Sequence, residues 1–187
     1  PMDLASSLRG ETFRPLATVV APGAFGLAPF AALAYSASGI GREFWDTHPI
    51  AVGIALFILS IAFGLVFENI GSRVEQWIDG SIAAKDDTFK KNWRAYLMLT
   101  YEREPVGQRY LRTILFRMKF ELGVLGSAPA QGLGWFLVFS ASGASWWYRG
   151  SSIVGAILLT AWFFFEARDS VKVLADLRKD LVATFGR

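Results

Sequence analysis

Residues 49–67 read PIAVGIALFILSIAFGLVF and contain no charged side chain over 19 consecutive positions. An α-helix rises about 1.5 Å per residue, so this stretch would extend about 28 Å as a helix. That length is close to the thickness of the hydrocarbon core of a bilayer. The stretch therefore predicts a transmembrane helix.

The composition of the whole chain favours the same interpretation. Of the 187 residues, 53% are apolar, 15% are aromatic and 19% are charged, and the mean hydropathy is +0.36. The charged share lies below the quarter that is typical of soluble proteins. The chain has no cysteine and His48 is its only histidine, which excludes disulfides, thiol nucleophiles and metal sites built on cysteine and histidine. We expect no enzyme activity, no cofactor and no metal site.

Three further uncharged stretches are candidate spans: 15–41, 122–148 and 150–165. In the first of them, Pro22 and Pro29 lack a backbone N–H, so we expect a break or kink in mid-membrane. The run GSAPAQG is expected to disrupt a helix, which places the third span at 133–148, and the fourth span is expected at 152–166. The sequence thus predicts an all-α polytopic membrane protein with four transmembrane helices and a helical cytoplasmic layer.

The distribution of basic residues predicts the orientation. Four crossings place 17 of the 19 lysines and arginines on one side and leave Arg42 and Arg149 on the other. Because cytoplasmic loops are enriched in lysine and arginine, we expect both termini and the long middle segment to lie in the cytoplasm, at a bacterial inner membrane. The stretches GIGREFWDTHP and WWYRGSS are then external turns with aromatic side chains at the interface.

The predicted cytoplasmic segment carries two helical stripes of opposite charge. FENIGSRVEQWID continues the second span, and a period of 3.6 residues aligns three carboxylates on it: Glu68, Glu75 and Asp79. PVGQRYLRTILFRMKFEL, which begins at Pro105, has the apolar spacing of a helix. Its other side carries the basic stripe, which consists of Arg109, Arg112 and Lys119.

Two interpretations of the basic stripe remain open. The three side chains either pair with the acidic stripe, or are partly free to bind an anionic ligand or a lipid headgroup. We favour pairing for most of the stripe and keep all three as candidate ligand-binding residues. Arg117 lies apart from the stripe and is expected to pair with Glu121, four residues further on. A duplex nucleic acid is not expected as a partner.

Four residues are candidates for a pore or gate: Glu68, Pro22, Pro29 and Glu166. Glu68 and Glu166 end the second and fourth spans, where a carboxylate costs little, and a structural role is the simpler interpretation. If copies surround a pore, these carboxylates would form acidic rings at its cytoplasmic mouth and favour cations.

Other features predict helix contacts and self-association. Ser60 and Gly64 in the second span, and the cluster 140–145 in the third, favour close contact within one bundle or between subunits. The tail after Glu166 has an apolar face formed by five residues: Val171, Leu174, Leu177, Leu181 and Phe185. Its partner is either the helix that begins at Pro105 or the tail of another copy. We expect a homo-oligomer in the lipid bilayer, held by spans and tail.

The chain is accordingly divided into four parts. Residues 2–70 form the first transmembrane helix pair and 71–130 the cytoplasmic helical segment. Residues 131–167 form the second transmembrane pair, and 168–187 form a cytoplasmic amphipathic tail helix.

The chain has a general likeness to a known group of proteins. The likeness rests on four predicted spans, on the lack of a catalytic motif and on a basic cytoplasmic layer with SRVEQWID and EPVGQRYLRTILFRMKFEL. The chain resembles the small multi-span membrane effectors of bacterial anti-phage systems, including the Hailong type. The likeness covers overall architecture, so no functional residue is transferred. It implies an oligomeric, channel-like effector whose opening is controlled by a nucleotide-derived signal in the cytoplasm. The alternative is a non-conducting membrane adaptor or scaffold.

Overall fold

The structure is a computed structural model that describes residues 16–37, 39–84, 88–98 and 106–185. A π-helical turn, Leu16–Val20, is followed by six α-helices: α1 (Ala21–Ala37), α2 (Gly39–Thr47), α3 (Pro49–Ala83), α4 (Phe89–Leu97), α5 (Val106–Ala141) and α6 (Trp146–Phe185). The described residues include no strand. Four helical segments are long and apolar enough to cross a membrane, which confirms the all-helical class and the number of candidate spans.

Three helices are much longer than a membrane is thick. α3, α5 and α6 contain 35, 36 and 40 residues, which correspond to about 52, 54 and 60 Å. A hydrocarbon core of about 30 Å leaves roughly 20 Å or more of each helix outside it. The charged ends of these helices pack together into one layer, and this layer includes the predicted continuations of the second and fourth spans.

α5 lies at the centre of the bundle and packs against α1, α3 and α6. It runs without a break through GSAPAQG, with Pro129 inside the helix, so the predicted disruption of the helix there is wrong. The small residues of this run instead allow α5 to pack closely against α3. A Cβ atom on Gly126 would lie 2.9 Å from the backbone oxygen of Phe67 in α3, and Ser127 is fully buried. The third candidate span therefore starts earlier than predicted, and the predicted boundary between residues 130 and 131 falls inside α5.

The connection between α5 and α6 also differs from the prediction. α5 ends at Ala141 and α6 begins at Trp146, so the predicted turn residues WWYRGSS are helical and the cluster 140–145 forms the end of α5 and the turn. Gly143 has φ +68°, a conformation that favours glycine. The N–H of Gly143 donates to Ser140 and that of Ala144 donates to Phe139, the pattern that closes a helix in a Schellman motif.

The first candidate span is continuous where a break was expected. α1 runs through Pro29, and the irregularity lies before it, in the π-helical turn. Pro22 cannot donate a hydrogen bond to the carbonyl of Thr18, four residues earlier, which gives a physical reason for altered hydrogen bonding at this point. Residues 2–15, which belong to the predicted first helix pair, lie outside the described residues.

α1 and α3 approach each other through small residues, as the Ser60 and Gly64 pattern predicts. Ser60 and Gly64 are buried. A Cβ on Gly23 of α1 would overlap the carbonyl oxygen of Ser60, and one on Gly64 would overlap the carbonyl oxygen of Val19. This contact lies within one chain, so the small-residue pair of α3 is not available to another subunit.

The layer formed by the charged helix ends has its own hydrophobic core. Nine buried residues from α3, α5 and α6 form it: Ile78, Leu111, Ile114, Met118, Leu122, Ala167, Val171, Leu174 and Leu181. Val171, Leu174 and Leu181 of the predicted tail face are buried in this core. Leu177 packs against it, whereas Phe185 is 45% exposed. Most of the face is therefore covered by α5 and α3 of the same chain, which decides between the two predicted partners. The tail no longer supports the expectation of a homo-oligomer.

Candidate functional site

The basic stripe is partly occupied by the acidic stripe, as predicted. Lys119 Nζ lies 2.5 Å from Glu75 Oε2, and the two side chains are 32% and 21% exposed. Arg112 is exposed on the same side of α5. Arg109 lies in α5, but its side chain is outside the described part of the structure. Lys119 therefore pairs with a carboxylate of the acidic stripe, Glu75.

A small cavity lies beside this pair, at the end of the second candidate span. Its volume is about 200 Å³, and its lining includes Glu68, Arg112 and Lys119 with an apolar wall from Leu115 and Phe116. Arg112 and Lys119 of the basic stripe are therefore neighbours of the predicted pore residue Glu68. With one carboxylate and two cations on the lining, and Lys119 held by Glu75, little net positive charge remains to attract an anion.

Exchanging the charges of Glu75 and Lys119 tests this pairing. Lys119→Glu alone is expected to lower the free energy of unfolding, since two carboxylates would then face each other. Adding Glu75→Lys is expected to restore about 1 kcal/mol of coupling, which a double-mutant cycle of unfolding in detergent measures. Lys91→Glu, on an exposed position of α4, is the control. Purely additive effects of the two changes would contradict the pairing.

A second polar cluster joins α5 and α6 where their uncharged stretches end. The carboxylate of Glu121 is buried, with 4% of its side chain exposed. Arg117 Nε donates to Glu121 Oε1 at 2.6 Å, and Ser170 Oγ donates to Glu121 Oε2 at 2.8 Å. Arg117 also binds Glu166 through Nη2. The predicted pair of Arg117 and Glu121 is confirmed, while Ser170 and Glu166 were not foreseen as members.

The candidate pore residues have contacts within one chain. Glu166 pairs with Arg117. Pro22 and Pro29 are fully buried, and a Cβ on Gly123 or Gly134 of α5 would meet their rings. Helix packing accounts for the burial of both prolines. A pore or gate role for these residues stays a prediction.

A third cluster, which the sequence does not predict, lies further along the layer of charged helix ends, where α3, α4 and α6 meet. The guanidinium carbon of Arg178 lies 3.9 Å from the ring centroid of Trp93. This is the geometry of a cation–π contact. Arg178 also interacts electrostatically with Asp79 of α3. The carboxylate of Asp79 therefore faces the tail helix in addition to the basic stripe.

The electrostatics of this cluster reflect burial. Asp79 and Arg178 lie about 16–18 Å along their helices past Glu68 and Glu166, and so outside the uncharged stretches. Burial raises the pKa of Asp79, with a further rise from Glu75, against the opposing effects of Arg178 and Lys119. Burial lowers the pKa of Arg178, while Asp79 opposes that change. The two charges stabilise each other in a place where water alone solvates them poorly.

No signal in the sequence identifies this cluster, because its members are separated by long stretches of chain. Arg178 is one of several charges on the predicted amphipathic tail, and no spacing in the sequence relates Trp93 to it. Among the described residues, no group of three His, Cys, Asp or Glu side chains could hold a metal ion.

Comparison with known proteins adds no assignment. No protein-family model matches this chain, and neither the search of curated proteins nor that of solved structures gives a significant match. The architecture and the clusters described above are therefore the basis for a functional proposal.

Proposed function

We propose that the chain is a channel-like effector of a bacterial inner membrane, with both termini in the cytoplasm. Several copies assemble into one channel. An anionic or nucleotide-derived ligand, or a partner, controls the channel from the cytoplasmic layer. Anti-phage defence is the proposed setting, from the architectural resemblance. The observation that carries the proposal is the continuity of α3, α5 and α6 from the apolar segments into the cytoplasmic layer.

Continuous helices couple the two regions mechanically. A helix without a break transmits a shift at one end to the other, and the layer holds three such helices together through its core. The buried carboxylate of Glu121 and its two partners join α5 to α6 near the end of the uncharged stretches. Rearranging the layer would therefore change how the apolar segments sit against each other.

A pathway for ions would lie between copies in this proposal. Within one chain, α1, α3 and α5 meet at backbone contact through their glycines. The outer apolar face of α6 is more exposed than that of α5. Half of the most apolar 18-residue segment of α5 is buried, whereas only 6% of the corresponding segment of α6 is buried. The exposed face of α6 is available to lipid or to a neighbouring copy.

Expression in bacteria tests conduction against the alternative, a non-conducting adaptor or scaffold. The proposal predicts loss of membrane potential, followed with a potential-sensitive dye, in cells that overproduce the wild-type chain, because a ligand-controlled channel is open in a small fraction of copies even without its ligand. Gly53→Ala is the matched control, since a Cβ at Gly53 meets nothing within 4 Å, and it should behave as wild type. An unchanged potential, with the protein recovered in the membrane fraction, would favour the adaptor.

A further inference from the structure

A cavity of about 270 Å³ opens in the cytoplasmic layer, between α4 and α6. α4 contributes Asn92 and Trp93, and α6 contributes Lys172, Arg178 and Lys179. Three cations thus line one small cavity together with a side-chain amide and an aromatic ring. Asp176 also lines it, and outside the lining Asp79 interacts with Arg178 and Asp169 pairs with Lys172. Among the described residues of the lining, Lys179 is therefore the one cation without an ion pair or carboxylate interaction given above.

Arg178 lines this cavity and carries an unsatisfied buried donor. Its Nε atom is buried and has no hydrogen-bond partner among the described residues. Leaving a buried charged donor unsatisfied is costly, and native structures rarely do so without a ligand or water. Trp93 lies against the guanidinium on one side and Asp79 interacts with it electrostatically, so the group is fixed in position at the cavity wall.

The two lysines add charge that an incoming anion can use. Lys179 is exposed and has no ion-pair partner among the described residues. Lys172 pairs with Asp169 at 2.9 Å, but both side chains are well exposed, at 49% and 72%. Exposed pairs of this kind contribute little, so Lys172 can exchange its partner for a ligand at small cost.

From this geometry we infer that the cavity binds the phosphate group of a small soluble molecule. Guanidinium and ammonium groups bind phosphate through charge-assisted hydrogen bonds, and Asn92 supplies a neutral donor nearby. The cavity lies too far beyond the end of the fourth candidate span to hold a lipid headgroup. Lys172 and Lys179 are 6 and 13 residues past Glu166, or roughly 9–20 Å along the helix.

The site differs from the basic stripe of α5. The effect of binding on the channel rests on the proposed function. A ligand that bridges α4 and α6 would shift α6, and α6 is continuous with the fourth candidate span. Binding itself can be measured without any ion flux, so the two proposals can fail separately.

The test is calorimetric titration of pyrophosphate into the purified full chain in nanodiscs of phosphatidylcholine. Saturable binding is expected, and it should weaken as the salt concentration rises, because charge contacts are screened. The double variant Lys172→Gln, Lys179→Gln is expected to bind at least about tenfold more weakly. Both side chains are on the surface, so this variant should keep the thermal stability of the wild type.

Arg168→Gln is the matched control, since Arg168 is exposed on the same helix and does not line the cavity. It should bind pyrophosphate as wild type does. Absence of saturable binding, or an equal loss in Arg168→Gln and in the lysine variant, would overturn the site. The titration is repeated in nanodiscs that contain phosphatidylglycerol. Loss of pyrophosphate binding in these nanodiscs would also overturn the proposal, because the site would then be occupied by a membrane lipid.

Discussion

Leu174→Ala is expected to lower the free energy of unfolding by about 3 kcal/mol, through the lost burial of the side chain and the cavity that it leaves. Leu174 is 1% exposed and lies in the core shared by α3, α5 and α6. Equilibrium unfolding of the purified protein in mild detergent, followed by circular dichroism, measures the change.

Val173→Ala is the control for this prediction. Val173 is the neighbouring residue on the same helix and is 41% exposed, so its replacement should change stability by less than about 0.5 kcal/mol. If the two variants lose equal stability, the tail helix does not pack on α5 as described. Unchanged stability in Leu174→Ala would lead to the same conclusion.

Gly64→Ala is expected to cost about 2 kcal/mol, seen as a fall of about 4–8 °C in the apparent Tm. A Cβ at this position would lie 2.7 Å from the carbonyl carbon of Val19 and 2.8 Å from its Cγ1. Backbone cannot move aside as a flexible side chain can, so the π-helical turn before α1 would have to move away from α3.

The matched control is Gly53→Ala, a second glycine in the same helix whose Cβ would meet nothing within 4 Å. It should leave the Tm nearly unchanged. A Tm for Gly64→Ala equal to that of Gly53→Ala would contradict close contact between the π-helical turn and α3 at this point.

The sequence was sufficient to predict the features that depend on neighbouring residues along the chain. The uncharged run 49–67 predicts a candidate span, and the spacing of Val171, Leu174 and Leu181 predicts the buried face of the tail. The pair of Arg117 and Glu121 also follows from spacing, since residues four apart on a helix lie side by side.

Features that depend on tertiary neighbours could not be predicted in this way. GSAPAQG has the composition of a helix break, yet it is helical because its small residues admit the backbone of Phe67. Glycine and proline weaken an isolated helix, and only the packed partner shows whether close contact offsets that weakness.

The same limit applies to the polar clusters. Ser170 and Glu121 are 49 residues apart, and Trp93 and Arg178 belong to helices whose pairing no periodicity reveals. The basic stripe was recognised because its members share one helix. The cavity between α4 and α6 was missed because its cations and its aromatic ring come from different helices.

Ion flux through liposomes that contain only the purified protein tests the central claim most directly. The protein would be reconstituted into vesicles loaded with a potassium-sensitive dye, and its insertion verified by protease protection. Flux is measured without and with pyrophosphate as the anionic ligand. The account predicts potassium flux above that of protein-free vesicles in at least one of the two conditions, rising more steeply than linearly with protein per vesicle, because several copies form one pathway. Flux no greater than in protein-free vesicles in both conditions, with the protein fully inserted, would contradict it.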